Sequence, residues 1–253
     1  MGRLDGKVAV VTGATSGMGR AISVRFAQEG ASVVMNGRDA ERGREVLKEI
    51  ESFGGRAVFC TGDVGQLETN YELVDTAATS FGGLHILVPC AGMLGLGSVT
   101  GVSIETWEEA IATNLTAVFL LLRFGIPEIS KGGGGSIVVI GSIAAFKGFP
   151  NHAAYCATKG ALVPFVRQVA IDYAPAIRAN LLCPGPVDTP LIWSSAAAFP
   201  DPEKAVSDVA ERTLLKRLGT PVDIASAAVF LASEESSWIT GTSLTIDGGI
   251  LTT

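Results

Sequence analysis

The sequence is poor in the residues that build metal sites and disulfide frameworks. Its 253 residues include only four cysteines and two histidines. The cysteines (Cys60, Cys90, Cys156 and Cys183) are widely spaced and form no Cys-x-x-Cys pair. That pattern predicts neither a zinc site nor a set of disulfides. We therefore expect four reduced thiols, no bound metal and a cytoplasmic protein.

Positive charge and long hydrophobic runs are also scarce. The chain has 19 Lys and Arg residues against 25 Asp and Glu, a formal net charge of −6. A chain without a basic face is not expected to bind nucleic acid or anionic lipid. The longest apolar runs, such as 118–122 and 137–140, are much shorter than the ~20 residues that cross a bilayer. These absences exclude nucleic acid and membranes and favour a small-molecule partner.

Apolar residues are abundant, at 47%, and they alternate regularly along the chain. Short runs rich in Val, Ile and Leu are typical of strands buried on both faces, and segments with helical spacing follow them. The alternation predicts a doubly wound parallel sheet of about seven strands, a Rossmann fold with helices on both faces, in a single α/β domain over residues 1–253. The long irregular stretch 191–213 predicts a substrate lid within that domain.

A glycine-rich turn follows the first predicted strand, Lys7–Thr12. Glycines at a strand-to-helix junction let the backbone approach a pyrophosphate, and the helix N-terminus offers free N–H groups to it. The spacing Gly-x3-Gly-x-Gly differs from the usual Gly-x-Gly-x-x-Gly, and the alternative is an ordinary βα turn. The position after the first strand favours dinucleotide binding. The candidate residues of this turn are Gly13, Thr15, Ser16, Gly17, Met18 and Gly19.

The end of the second predicted strand bears on the type of dinucleotide. Gly37 and Arg38 stand at the strand tip, and Asp39 follows after the turn. An acid at the tip would accept the ribose hydroxyls of NAD, whereas an arginine accommodates the 2′-phosphate of NADP. The sequence therefore favours NADP(H) over NAD(H), with Arg38 as the phosphate ligand. The alternative is that Arg38 is a solvated charge at the start of the next helix.

Tyr155 and Lys159 are four residues apart at the start of a predicted helix, so they share one helix face. A tyrosine with its usual pKa near 10 is a poor acid or base at neutral pH. A cation within about 4–6 Å favours the phenolate and lowers that pKa. The pair is thus suited to proton transfer to a carbonyl oxygen, although the spacing alone also occurs by chance.

Taken together with Asn114, Ser142 and the run Pro184–Thr189, these motifs resemble those of the short-chain dehydrogenase/reductase family. The resemblance implies a nicotinamide-dependent enzyme that interconverts an alcohol and a ketone or aldehyde. Tyr155 would be the general acid/base and Ser142 would hold the substrate oxygen. Lys159 would bind the nicotinamide ribose and lower the pKa of Tyr155. Asn114, inside the predicted helix 105–124, would help to hold a water that relays protons.

The resemblance also implies further cofactor contacts and a homotetramer. Asp63 and Val64 would meet the adenine, while Val187 and Thr189 would bind the carboxamide. The remaining candidates border the ribose and nicotinamide: Cys90, Ala91, Gly92, Pro184 and Gly185. The chain departs from the family where Pro89-Cys90 replaces the usual Asn-Asn, and we expect altered packing there, not lost catalysis.

Apolar residues dominate the segments expected around the substrate, which favours a hydrophobic or cyclic ketone or alcohol. The candidate pocket residues are Met93, Leu94, Ala144, Phe149, His152 and Trp193. Two alternatives stay open. One is a 3-oxoacyl-[acyl-carrier-protein] reductase, although the positions where such enzymes carry basic residues are neutral here (Pro127 and Pro175-Ala176). The other is a non-catalytic dinucleotide sensor on the same fold.

Overall fold

A computed structural model describes residues 2–252 as a seven-stranded sheet in the order β3-β2-β1-β4-β5-β6-β7. Every neighbouring pair of strands is parallel, as predicted from the continuous apolar runs. The doubly wound Rossmann architecture is confirmed. The strands are β1 Val8–Val11, β2 Ser32–Gly37, β3 Arg56–Thr61, β4 Ile86–Val88, β5 Gly135–Ile140, β6 Ile177–Pro184 and β7 Ser243–Ile246.

Helices cover both faces of the sheet because alternate residues of each strand point to opposite sides. In β1, Ala9 and Val11 join a core with α1, α2 and α9, while Val8 and Val10 join a second core with α3, α5 and α6. The helices are α1 Gly17–Gln28, α2 Ala40–Ser52, α3 Leu67–Phe81, α4 Ile104–Ile111, α5 Ala117–Lys131, α6 Ala153–Tyr173, α7 Pro190–Ala196, α8 Pro202–Arg212 and α9 Pro221–Ala232.

The strand order reverses between β1 and β4, and this reversal fixes where a site can form. Chain segments leaving β1 and β4 depart in opposite directions, so a crevice opens at the carboxyl ends of these strands. The glycine-rich turn after β1 and the segment after β4 therefore lie on the same edge as the ends of β5 and β6. All four predicted catalytic residues are carried by segments that meet this edge.

Helices α4 and α5 form one continuous apolar helix, Ile104–Lys131, which extends beyond the predicted end at Phe124. A π-helical turn, Ala112–Thr116, joins them and carries Asn114. The helix is 28 residues long and includes an 18-residue window with a mean hydropathy of 1.6, so by length and composition it could cross a bilayer. Half of that stretch is buried inside the protein, and α5 packs against α3 and β4. The helix thus has the packing of a core helix.

The stretch 191–213 was expected to be irregular and instead contains the two helices α7 and α8. Each begins at a proline, Pro190 and Pro202, which suits the first turn of a helix because no N–H is needed there. Asp201 caps α8 by accepting a hydrogen bond from the backbone N–H of Lys204. Helix α7, with seven residues, is too short to show a clear apolar period, whereas α8 is amphipathic and could have been predicted. That the segment is a lid stays a prediction.

Candidate active site

A cleft of about 380 Å³ opens where the strand order reverses. The glycine-rich turn forms one wall, and the segments after β2, β3 and β4 continue it. It therefore brings together residues that lie up to 181 positions apart in the chain, from Gly13 to Ser194. The predicted cofactor residues that line it are Gly13, Thr15, Ser16, Gly17, Met18, Gly19, Arg38, Asp63, Val64, Cys90, Ala91, Gly92, Tyr155, Lys159 and Thr189.

Backbone forms much of this cleft, and several of its glycines have no room for a side chain. A Cβ on Gly13 would lie 2.9 Å from the backbone N of Ala91, and one on Gly19 would collide with the carbonyl oxygen of Gly13. Gly13 and Gly17 also have positive φ angles of 65° and 50°, which glycine adopts at least cost. The turn leads directly into the N-terminus of α1. These features fit the pyrophosphate of a dinucleotide.

Arg38 lines the cleft, whereas Asp39 does not. The carboxylate of Asp39 caps α2 by accepting hydrogen bonds from the backbone N–H groups of Glu41 and Arg42, and it also pairs with the Arg42 guanidinium at 3.3 Å. An acid used in this way is turned towards its own helix. The guanidinium of Arg38 is therefore the charged group that stands at the tip of β2.

Thr12 organises the segment where Pro89-Cys90 replaces the family's Asn-Asn. Its hydroxyl oxygen accepts hydrogen bonds from the backbone N–H groups of Cys90 and Ala91, at 3.0 and 3.1 Å. Pro89 lies just past the end of β4, where no ladder donor is needed, and its carbonyl accepts from the N–H of Ile140. Burial raises the pKa of the Cys90 thiol to about 12. The thiol is therefore uncharged, and it forms part of the wall of the cleft.

Helix α6 begins at Ala153 and places Tyr155 and Lys159 on its buried face. The Lys159 ammonium lies 5.7 Å from the centroid of the Tyr155 ring and donates a hydrogen bond to the carbonyl oxygen of Ile140 at 2.9 Å. Ser142 follows the end of β5 and lines the neighbouring cavity with Tyr155. The sequence-predicted acid/base, its lysine and the serine are thus adjacent.

The pKa values of this pair are governed mainly by burial. Burial raises the pKa of Tyr155 to about 12, against a smaller lowering by the Ser142 side chain. Burial also lowers the pKa of Lys159 to about 8. The raised tyrosine pKa is opposite in direction to the expectation that Lys159 lowers it, because removal of the phenolate from water is the largest effect. Tyr155 is therefore protonated at neutral pH, as a proton donor must be.

Asn114 is fully buried and its amide is fully engaged. Its side-chain oxygen accepts a hydrogen bond from the N–H of Met93 at 2.8 Å, and its NH₂ donates to the Met93 carbonyl and to the Thr158 hydroxyl. The amide fixes the segment after β4 against α6. Asn114 itself lines neither the cleft nor the cavity, and its part in a proton relay stays a prediction.

A second cavity, of about 590 Å³, meets the cleft at Tyr155. Its polar groups near Tyr155 are those of Ser142 and His152, and most of its wall is apolar. Helices α7 and α8 close its outer side. The residues that form its walls on either side of Tyr155 include Leu94, Ile143, Ala144, Phe149, Leu191, Ile192, Ala196, Phe199 and Val206.

Two predicted pocket residues, Met93 and Trp193, lie elsewhere than expected. Met93 lines the cofactor cleft and not the substrate cavity. Trp193 lines neither surface, because α7 turns Leu191 and Ser195 towards the cavity and leaves Trp193 45% exposed. The indole N–H of Trp193 donates a hydrogen bond to the Asp188 carboxylate. The three remaining predicted cofactor contacts lie at the junction with the cavity and line that side: Pro184, Gly185 and Val187.

Three residues that organise the site were not predicted. Thr12 anchors the segment after β4, Thr158 receives the Asn114 amide, and Ser195 bonds to His152. Thr158 stands beside Lys159, so the helical position of the Tyr-x-x-x-Lys motif could have indicated it. Thr12 directly precedes the glycine-rich turn, so that motif could have indicated it too, whereas nothing in the local sequence indicates Ser195. Among residues 2–252, no group of three or more His, Cys, Asp or Glu side chains is arranged to hold a metal.

A family model described as enoyl-(acyl carrier protein) reductase matches residues 13–251 of the chain. The chain is 39% identical over 248 residues to 2,5-dichloro-2,5-cyclohexadiene-1,4-diol dehydrogenase LinX of Sphingobium indicum, covering 98% of this chain and 97% of that one. It is 38% identical over 251 residues to 3beta-hydroxysteroid dehydrogenase 1 of Eggerthella lenta, covering 98% and 94%.

A solved structure from Burkholderia xenovorans, described as that of a short-chain dehydrogenase/reductase, superimposes with a TM-score of 0.95 at 34% sequence identity. The alignment covers 100% of this chain and 99% of that one. Both chains therefore share the fold over their whole lengths, including the segments that form the cleft and the cavity.

Proposed function

The chain belongs to the short-chain dehydrogenase/reductase family and is an oxidoreductase that binds a nicotinamide dinucleotide, and we propose that it interconverts a cyclic secondary alcohol and its ketone with Tyr155 as the acid/base. The observation that carries the proposal is the apolar cavity of about 590 Å³ that meets the cleft at Tyr155 and Ser142. Such a wall accommodates an apolar ring and places few polar groups against it.

The cofactor, when bound, supplies or accepts the hydride. The chain's own groups act on the oxygen. In reduction, the hydroxyl of Tyr155 donates its proton to the substrate oxygen while the hydroxyl of Ser142 donates a hydrogen bond to it. In oxidation the proton returns to Tyr155. Lys159 lies at the end of the cleft and would contact the ribose, and Gly92 leaves space beside it, since a Cβ there would lie 3.8 Å from the Lys159 ammonium nitrogen.

Two relatives act, by their names, on ring compounds, a cyclohexadiene diol and a steroid. This supports a cyclic substrate for the present chain. A panel of cyclohexanone, a 3-ketosteroid, a linear 2-ketone and an aldose should be assayed with NADPH and NADH, following absorbance of the reduced cofactor. We expect the cyclic ketones to have at least tenfold higher kcat/KM than the aldose. A preference for the aldose would contradict the proposal.

The cofactor preference proposed is NADP(H), with Arg38 as the ligand of the 2′-phosphate. Support comes from the position of Arg38 in the cleft and from the use of Asp39 as a helix cap. Arg38→Ala should raise the Kd for NADPH roughly 10-fold or more, as expected for a charge-assisted contact, and leave the Kd for NADH within twofold. Arg44→Ala, at an exposed arginine of α2, the helix that follows Arg38, is the matched control. Equal losses for both cofactors would remove Arg38 from this role.

A carrier-protein-bound substrate is the second candidate, because the matching family model is described as an enoyl-(acyl carrier protein) reductase. The net charge of −6 opposes it, since acyl carrier proteins are acidic and like charges associate poorly. An acetoacetyl carrier protein should be compared with the free ketones. Turnover of the carrier-bound substrate at lower KM than any free ketone would favour this candidate.

We also propose a homotetramer and a cytoplasmic location. Support for assembly comes from large apolar side chains left exposed on the helices of one face, including Phe119 of α5 and Ile171 of α6. Sedimentation velocity at micromolar concentration should give a mass near four times the 26.1 kDa of one chain. A monomer would contradict this proposal.

A further inference from the structure

We propose that His152 is a positioning residue that fastens α7 over Tyr155 through Ser195, and that this contact sets the affinity for substrate. The inference rests on the proposed function, because it concerns the cavity in which the ketone would bind. His152 is only 6% exposed and lies in the wall of that cavity, three residues before Tyr155. Ser195 lines the same cavity and lies in the last turn of α7.

Both nitrogens of the His152 ring are occupied by the protein. Nδ1 lies 2.6 Å from the carbonyl oxygen of Pro150, and Nε2 lies 2.8 Å from the hydroxyl oxygen of Ser195. A carbonyl oxygen only accepts, so Nδ1 carries the proton. In the neutral ring Nε2 is then an acceptor, and the Ser195 hydroxyl donates to it. The sequence suggested that His152 touches the substrate; with both nitrogens engaged, it has no polar group to offer one.

The ring of His152 also contacts the acid/base. It lies edge-to-face with Tyr155, with ring centroids 6.2 Å apart, and with Phe149 at 6.0 Å. Backbone hydrogen bonds on both sides tie its loop to Gly97: the N–H of Gly97 donates to Asn151, and the N–H of Ala153 donates to Gly97. His152 is therefore held in place by its surroundings, so its contact with Ser195 can position α7.

Helix α7 makes few other side-chain hydrogen bonds to residues outside the helix. Trp193 bonds to Asp188, two residues before the helix begins, and Ser194 bonds to the carbonyl of Pro190 within it. The hydroxyl of Ser195 bonds instead to a segment 43 residues earlier in the chain. Loss of this bond leaves α7 held by apolar packing and by the local bond to Asp188, so its position over the cavity becomes less well defined and the cavity less complementary to a ring.

The test is a double-mutant cycle. Ser195→Ala removes the donor, and His152→Phe keeps a ring beside Tyr155 and Phe149 but removes both hydrogen bonds. We expect each change to raise KM for the preferred cyclic ketone about 3- to 10-fold, as for one lost hydrogen bond, with kcat changed less than threefold. The double variant should be no worse than the more affected single one. Ser195→Thr, which keeps a hydroxyl, should restore KM. Additive losses, or a fall in kcat without a change in KM, would overturn the proposal.

Hydrogen exchange separates this proposal from the proposed function, because it needs no turnover. In Ser195→Ala the amides of 190–200 should exchange at least threefold faster than in the parent protein, while those of β5 stay unchanged. Ser207→Ala, at an exposed serine of α8, is the matched control. Unchanged exchange in 190–200 would overturn the proposed role of the His152–Ser195 contact, even in an active enzyme. Faster exchange in a protein that reduces no ketone would support the positioning of α7 by this contact and contradict the proposed function.

Discussion

The proposed cofactor cleft and the proposed substrate cavity share Tyr155 but differ in the kind of atoms that line them. The cleft is made largely of backbone at the ends of parallel strands, with glycines whose Cβ atoms would collide with neighbouring main chain. The cavity is made of apolar side chains on loops and on two short helices. A backbone surface tolerates little change, whereas a side-chain surface can be reshaped by substitution. Binding of a common cofactor and selection of a particular substrate are thus separated within one domain.

The largest expected effect lies at the boundary between the two regions. Tyr155→Phe removes the hydroxyl that faces the cavity and leaves the ring packing in place. We expect kcat to fall about 1,000-fold, within the range of general acid catalysis, while the Kd for NADPH changes less than threefold. Steady-state kinetics and fluorescence titration measure the two quantities. Near-parental activity would mean that another group donates the proton.

The cleft alone contains a buried ammonium at its inner end, and this predicts a pH dependence of stability. The pKa of Lys159 is about 8 in the folded protein, below its ordinary value of 10.5. Between these values the unfolded chain binds more protons, so the free energy of unfolding should rise with pH. Relative to Lys159→Met, the gain from pH 8 to 9.5 should be on the order of 1–2 kcal/mol.

Urea unfolding of both proteins at pH 7.5, 8.5 and 9.5 measures this difference. The range stays below the pKa of Tyr155, which is about 12 in the fold, and below the ordinary tyrosine value near 10. Tyr155 therefore stays protonated in the folded state and mostly protonated in the unfolded state, and its contribution is common to both proteins. Parallel pH profiles for the two proteins would show that the ammonium is not desolvated as the structure indicates.

Gly37→Val tests whether the cleft depends on its backbone surface. A Cβ at this position would collide with the side chain of Thr15 in the glycine-rich turn. Overpacking of this kind costs about 1–3 kcal/mol, so the Kd for NADPH should rise roughly 30-fold. Thermal melting without cofactor shows whether the fold itself is lost. An unchanged Kd in a folded variant would mean that the turn adjusts freely.

Phe149→Ala is the corresponding change in the cavity. Removal of a half-buried ring should cost about 1–1.5 kcal/mol of apolar contact with a cyclic substrate, a rise of about 10-fold in KM. The Kd for NADPH should stay the same, because Phe149 lines only the cavity. Phe146→Ala, a neighbouring aromatic that is 49% exposed and outside the cavity, is the control. A changed cofactor affinity would break the separation of the two regions.

The sequence predicted the cleft better than the cavity for a physical reason. Buried strands need continuous apolar runs and sharp turns need glycine, so the sheet and its phosphate turn are visible locally. Helix α7 has only seven residues and so shows no clear apolar period, whereas the amphipathic α8 could have been predicted from its spacing and its first proline. The His152–Ser195 contact joins residues 43 positions apart, and no local pattern specifies it. The π turn at Asn114 likewise follows from packing against Thr158 and Met93.

The excursion between β6 and α9 is closed at its base. The backbone N–H of Leu214 donates to the carbonyl oxygen of Gly248 at 2.8 Å, and Thr213, which is buried, bonds to the carbonyls of Ala210 and Arg217. The segment between Thr189 and Thr213 is therefore an excursion from the sheet that returns to it at a point held by hydrogen bonds. Such a segment is a natural unit of exchange: a relative's segment could be grafted between these two threonines to transfer its substrate range without disturbing the sheet.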